Sequence, residues 1–198
     1  MRARIWTIPN VISFARLLCV PWFLWMLWKE PPSIVGAAIL LAVLGATDWV
    51  DGYIARHWDQ GSELGKILDP TADRILLVAG AIGLLHLDVS TGVNILVIIV
   101  LVREVLIAAA TVTLGLMGAR RIDVVWAGKA GTLALMFALP MFIAADGIPE
   151  WDVFFLVCGW GFAIGGIVLG YYAAMRYVPA AREALREGRA ARSVEVQS

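Results

Sequence analysis

Six long apolar runs dominate the chain, over residues 11–28, 34–51, 67–87, 93–117, 124–145 and 153–177. They are separated by Pro31-Pro32, by a polar stretch near Trp58–Gly65, by Asp88–Gly92, by Gly118–Arg121 and by Asp146–Asp152. A helix rises about 1.5 Å per residue, and about 20 apolar residues cross a hydrocarbon layer near 30 Å thick. The pattern therefore predicts an all-α integral membrane protein with six transmembrane helices in one domain over residues 1–178. Pro9 suits the first turn of the opening helix, and Arg2 to Trp6 predicts a short amphipathic helix at the interface before it. The last stretch, 179–198, is rich in Ala, Arg and Glu and reads as a solvated or interfacial helix with a frayed tail.

Composition agrees with the pattern and narrows the partners. The 198 residues are 61% hydrophobic and 16% charged, against about half and about a quarter in soluble domains. A soluble globule is excluded. Sixteen basic and sixteen acidic residues cancel, so the chain is neither a polybasic nucleic-acid binder nor an acidic tail, and lipid is the implied partner. Arg16 interrupts the first apolar run and no small-residue cleavage site precedes Trp22, Trp25 and Trp28, so this run is expected to be retained as a span. Cys19 and Cys158 lie far apart inside apolar runs and read as buried hydrophobes rather than a disulfide or metal site.

The distribution of charge sets an orientation. The links after spans one, three and five carry Lys29 as their lone positive residue, whereas the opposite side carries Arg2, Arg4, Arg56, Lys66, Arg120, Arg121, Arg176, Arg182, Arg186, Arg189 and Arg192. The positive-inside rule then places both termini in the cytoplasm. Trp6, Trp28, Trp58, Trp126 and Trp151 fall near span ends, as in an interfacial belt. His57 and His86 read as loop or interfacial histidines. Span six has small-x3-small spacing at Gly161/Gly165 and Gly166/Gly170, which predicts close helix packing within the monomer.

The chemistry concentrates between spans two and three, where the sequence reads DWVDGYIARHWDQGSELGKILDPTAD. Ionisable groups at membrane depth are costly and ask for a partner, a watery cavity or a function. Asp48 and Asp51 are three apart, Asp69 and Asp73 four apart, so on helices each pair shares a face. Four carboxylates from two antiparallel neighbours cannot stay ionised together without counter-charge. Arg56, Lys66 and Arg74 could supply it, a purely structural reading that leaves the nearby small residues unexplained. Two divalent cations, Mg²⁺ or Mn²⁺, suit an all-oxygen donor set. Gly52, Ala55 and Gly65 let a flat ligand approach the backbone, and Arg56 can fork onto phosphate oxygens. Together these features describe a site for a nucleotide diphosphate carrying a lipid.

The arrangement D-x2-D-G-x2-A-R-x8-G-x3-D-x3-D, here Asp48, Asp51, Gly52, Ala55, Arg56, Gly65, Asp69 and Asp73, resembles the signature of the CDP-alcohol phosphotransferases, also called class I CDP-alcohol phosphatidyltransferases. The likeness extends to Ile8, Pro9, Asn10, Ser13 and Arg16 at the start, to the Arg103-Glu104 pair in span four, and to Gly128, Lys129 and Thr132 in span five. The resemblance implies a phospholipid-synthesis enzyme in a bacterial cell membrane that passes the phosphatidyl group of CDP-diacylglycerol to a glycerol-type alcohol and releases CMP. It implies that Asp48, Asp51, Asp69 and Asp73 hold two metal ions, with Asp73 also the base. It further implies that Gly52, Ala55, Arg56 and Gly65 face the nucleotide, and that the enzyme is a homodimer.

The acceptor side draws on Asn10, Arg16, Arg103, Arg120 and Lys129, whose charges suit a phosphate-bearing alcohol. Arg103 and Glu104 are adjacent, about 100° apart on a helix, and are not expected to pair face to face; at least one should point inward. The opening and the span-four and span-five elements are similar to the branch that makes phosphatidylglycerophosphate and cardiolipin. Phosphatidylglycerophosphate synthases usually show a second lysine before the threonine and a Gln a turn later, where this chain has Gly131 and Met136. That departure favours phosphatidylglycerol over glycerol 3-phosphate as acceptor. A small cation transporter would also carry intramembrane carboxylates, but it would not need Gly52, Ala55, Arg56 and Gly65 beside them at one membrane face.

Overall fold

The computed structural model describes residues 8–57, 65–116 and 126–195, and side-chain surroundings for residues 10–47, 68, 71–110, 112–113 and 126–176. These residues form α1 (Ile8–Trp28), α2 (Ile34–His57), α3 (Gly65–Leu87), α4 (Thr91–Leu116), α5 (Trp126–Gly147), a 3-10 turn (Pro149–Trp151) and α6 (Asp152–Glu195). The expected N-terminal interfacial helix, Arg2 to Trp6, lies outside the described residues. Among the described residues, four stretches are long and apolar enough to cross a membrane: Asn10–Trp28, Thr91–Ala110, Trp126–Gly147 and Pro149–Arg176. Acidic residues of the motif lie within two of the helices, Asp48 and Asp51 in α2 and Asp69 and Asp73 in α3. Among α1 to α5, the two least apolar helices are α2 and α3, the two that bear the paired aspartates.

Two boundaries differ from the expected ones. The second span was expected to stop at Asp51, yet α2 continues to His57, since Tyr53 to His57 contain no helix breaker and the hydrophobic run was the wrong gauge of helix length. The sixth helix runs without a break through Pro179 to Glu195, so its span and the expected tail helix are one rod. The turn between α3 and α4 follows its sequence signals. Asp88 takes φ 53°, a left-handed conformation that ends a helix, and the Ser90 hydroxyl accepts the Val93 N–H at 3.3 Å, capping α4.

Short connections make neighbours antiparallel. α1 packs on α3 and α2, α3 also meets α4 and α5, and α5 packs on α2 and most extensively on α6. α5 lies at the centre, with Leu135, Leu139, Phe142 and Ile143 buried. In lipid, water gives helices no reason to associate, so close van der Waals packing holds the bundle together. Small residues permit it. A Cβ on Gly131 would lie 2.9 Å from the Gly166 carbonyl oxygen, and one on Gly166 would lie 2.8 Å from that of Gly131, so α5 and α6 touch backbone to backbone. Gly166 and Gly170 therefore pack within the monomer as their spacing suggested. Gly161 and Gly165 do not, since a Cβ on either would meet nothing within 4 Å; the five-residue offset between the pairs turns them to another side of the rod. Large apolar side chains such as Trp22, Ile39, Ile98, Val105 and Val157 are exposed, as suits a surface against lipid. At the end of the bundle that holds the α3–α4 turn, Trp28 and His86 stack with ring centroids 4.1 Å apart, placing His86 against an aromatic partner between α1 and α3.

Candidate active site

The opposite end of the bundle bears the paired aspartates of α2 and α3. One face of α1 is buried along its length, through Asn10, Ser13, Arg16, Val20, Phe23 and Leu27. Its first two turns are polar and the rest apolar. Ser13 is fully buried and Arg16 is 1% exposed, a placement that a guanidinium tolerates only with counter-charge. Asp73 of α3 supplies it: Arg16 Nη1 donates to Asp73 Oδ1 at 2.5 Å. The pair joins residues 57 positions apart and fixes the first turns of α3 against α1.

Asp73 sits two turns into α3, with Asp69 one turn before it and Gly65 at the start of the helix. Asp48, Asp51, Gly52, Ala55 and Arg56 occupy the last turns of α2, which packs beside α3. Both carboxylate pairs therefore stand on helices, one turn apart within each pair, at the same end of two antiparallel neighbours. The side chains of Asp48, Asp51, Gly52, Ala55, Arg56, Gly65 and Asp69 lie outside the described residues, as do residues 58–64. Carboxylate oxygens are the donors Mg²⁺ and Mn²⁺ prefer, and the donor set fits such ions.

On the other side of α3 the chain turns its next residue to α4. Arg74 Nη1 lies 3.8 Å from Glu104 Oε2, and Arg103 Nη1 donates to Glu104 Oε1 at 2.6 Å. Glu104 is 7% exposed, so one member of the pair does point inward. The expectation that neighbours 100° apart would not pair is overturned, because the long Arg103 side chain curls around the helix to reach the carboxylate. The Arg103 guanidinium lies against α6, where a Cβ on Gly170 would meet its Nη2 at 2.8 Å and its Nε at 2.9 Å. Sequence reasoning missed the Arg74–Glu104 contact, whose 30-residue separation leaves no local spacing to detect.

The remaining acceptor-side residues are less gathered. Lys129 is exposed on the first turn of α5, the Thr132 hydroxyl donates to the Gly128 carbonyl at 3.1 Å, and Arg120 lies outside the described residues. Gly131 acquires a packing reason. A side chain there would run into the α6 backbone at Gly166 and Gly170, so a lysine in its place requires α6 to move away.

The sequence pattern of the CDP-alcohol phosphatidyltransferase family matches residues 6–168. The chain is similar to a cardiolipin synthase (CMP-forming) from Streptomyces coelicolor, 36% identical over 187 residues that span 92% of this chain and 86% of the relative. It is also similar to CDP-diacylglycerol–glycerol-3-phosphate 3-phosphatidyltransferases. The Haemophilus influenzae protein is 33% identical over 67% of this chain and 72% of its own, and the Escherichia coli protein is 29% identical over 88% of this chain and 94% of its own. The matched region contains every helix from α1 to α5 and the whole carboxylate motif on α2 and α3. The chain belongs to the CDP-alcohol phosphatidyltransferase family.

Proposed function

We propose that this protein transfers the phosphatidyl group of CDP-diacylglycerol to phosphatidylglycerol, forming cardiolipin and releasing CMP. The observation that carries this reading is the 36% identity, along 92% of the chain, with a relative named as a CMP-forming cardiolipin synthase. Gly131, packed against α6 where the glycerol 3-phosphate branch usually has a lysine, agrees with it. The similarity to the Escherichia coli enzyme favours a second reading, in which glycerol 3-phosphate is the acceptor.

Asp48, Asp51, Asp69 and Asp73 would hold two divalent cations, Mg²⁺ or Mn²⁺, which supply charge neutralisation at the diphosphate and on the departing CMP. Gly52, Ala55 and Gly65 admit the cytidine and its phosphates close to the backbone, and Arg56 donates to phosphate oxygens. The acceptor hydroxyl oxygen bonds to the phosphatidyl phosphorus, the bond from that phosphorus to the CMP oxygen breaks, and the hydroxyl proton passes to the Asp73 carboxylate. Arg16 holds that carboxylate in place. Arg103, with Asn10, Arg120 and Lys129, makes the acceptor side basic. The excess of Lys and Arg at this end puts it, with both termini, in the cytoplasm of a bacterial cell. The family resemblance adds a homodimer in the cell membrane.

Purified protein supplied with CDP-diacylglycerol, Mg²⁺ or Mn²⁺ and a panel of alcohols is expected to release CMP with phosphatidylglycerol. CMP release with glycerol 3-phosphate alone would transfer the reading to the second acceptor, and none with any alcohol would end both.

A further inference from the structure

One face of α1 is exposed along its second half. Leu18, Trp22, Trp25 and Lys29 follow one another at spacings of four, three and four, so they line up on one side of the helix, and the first three are 64%, 63% and 58% exposed. Lys29 belongs to the same stripe because its N–H donates to the Trp25 carbonyl at 2.9 Å, which carries the helical turn one residue past Trp28. Pro21, Trp22 and Trp25 line an open groove of about 410 Å³. The Lys29 Nζ lies 5.2 Å from the centroid of the Trp25 ring, a cation–π contact. From Leu18 to Lys29 the stripe rises about 16 Å, close to half of a hydrocarbon layer near 30 Å thick. It therefore runs from apolar depth to the headgroup level of the leaflet away from the paired aspartates.

The headgroup end of the stripe carries two charges of opposite sign. Neither Lys29 nor Glu30 has an ion pair or a side-chain hydrogen bond among the described residues, and Glu30 is exposed. The other charged residues in the links at this end, Asp88, Asp146, Glu150 and Asp152, are all acids, which disfavours a headgroup of net negative charge. We propose that this face of α1 is a binding site for one phospholipid whose headgroup bears both a phosphate and an ammonium. An acyl chain lies in the groove against the Trp22 and Trp25 rings and continues over Leu18. The Lys29 ammonium donates to the phosphate, and the Glu30 carboxylate accepts from the headgroup ammonium. One zwitterionic lipid thus answers both charges and covers the apolar stripe beneath them. The site stands at the opposite end of the molecule from the aspartates of α2 and α3 and takes no part in phosphatidyl transfer.

Native mass spectrometry of the purified full chain, released from micelles holding equal amounts of phosphatidylethanolamine and phosphatidylglycerol, counts retained lipids by mass. The unaltered chain is expected to retain one phosphatidylethanolamine. Trp22→Ala and Lys29→Gln should each lower that retained fraction about fivefold, the upper end for a contact at an exposed ion pair. Glu30→Gln should lower the ratio of retained phosphatidylethanolamine to phosphatidylglycerol by about the same factor. Trp151→Ala, which removes an exposed tryptophan of the α5–α6 link, should leave both lipids as they were. Unchanged phosphatidylethanolamine retention in Lys29→Gln would overturn the proposal, as would a ratio that Glu30→Gln does not move or an equal loss in Trp151→Ala. Loss of paired chains instead of bound lipid in Trp22→Ala would make the face a contact between copies and would equally overturn it. None of these readouts needs catalytic turnover, so they are independent of the acceptor the enzyme uses.

Discussion

At the scale of single residues, Asp73 is where the functional argument is tightest. Its carboxylate accepts a 2.5 Å contact from a guanidinium that is itself 1% exposed, so the side chain is anchored by a buried partner. Asp73→Asn preserves the size of the side chain and removes both the negative charge and the proton acceptor. It is expected to lower CMP release at least about a hundredfold, with thermal stability in detergent as the control that the bundle survives. The carboxylate motif was legible in the sequence because its spacing is local: three or four residues define a helical face, and the intervening Gly52, Ala55, Arg56 and Gly65 narrow the chemistry. The partners of those charges were not legible. Arg16 finds Asp73 across 57 residues and Glu104 finds Arg74 across the α3–α4 turn, and such pairings depend on how helices rotate against one another. The expected separation of Arg103 from Glu104 failed because side-chain length and flexibility outweigh helical phase.

At the scale of elements, the apolar runs predicted where each helix lies because six of them are bounded by proline, glycine and charge. They underestimated α2 and α6, since a helix continues into polar sequence wherever nothing breaks it. Glycines mark where helices touch, but sequence spacing does not say which pair faces the partner. Gly131, Gly166 and Gly170 lie at the α5–α6 contact, whereas Gly165 faces open space. Gly131→Ala places a Cβ 2.9 Å from the Gly166 carbonyl oxygen and 3.1 Å from the Gly170 nitrogen, backbone atoms that move only with the helix. It should cost about 1–3 kcal/mol, the range for overpacking, seen as a lowered melting temperature in detergent. Gly165→Ala should stay within about 0.5 kcal/mol of the original. Equal losses in the two variants would contradict the α5–α6 crossing.

At the scale of the whole molecule, the two ends of the bundle carry different groups. One end carries Asn10, Ser13, Arg16, the aspartates of α2 and α3, Arg103 and Glu104; the other carries the Trp28–His86 stack and the capped α3–α4 turn. The orientation proposed for it predicts that, in a background lacking Cys19 and Cys158, Lys29→Cys reacts with a membrane-impermeant maleimide on intact cells, and that Ser198→Cys reacts after permeabilisation. The reverse pattern would place the catalytic end outside. The most direct test of the central claim follows both products of one reaction. Purified enzyme reconstituted with CDP-diacylglycerol and isotopically labelled phosphatidylglycerol in the presence of Mg²⁺ should yield one CMP for each labelled cardiolipin detected by mass spectrometry. CMP accumulating without labelled cardiolipin, or neither product appearing, would contradict phosphatidyl transfer to phosphatidylglycerol.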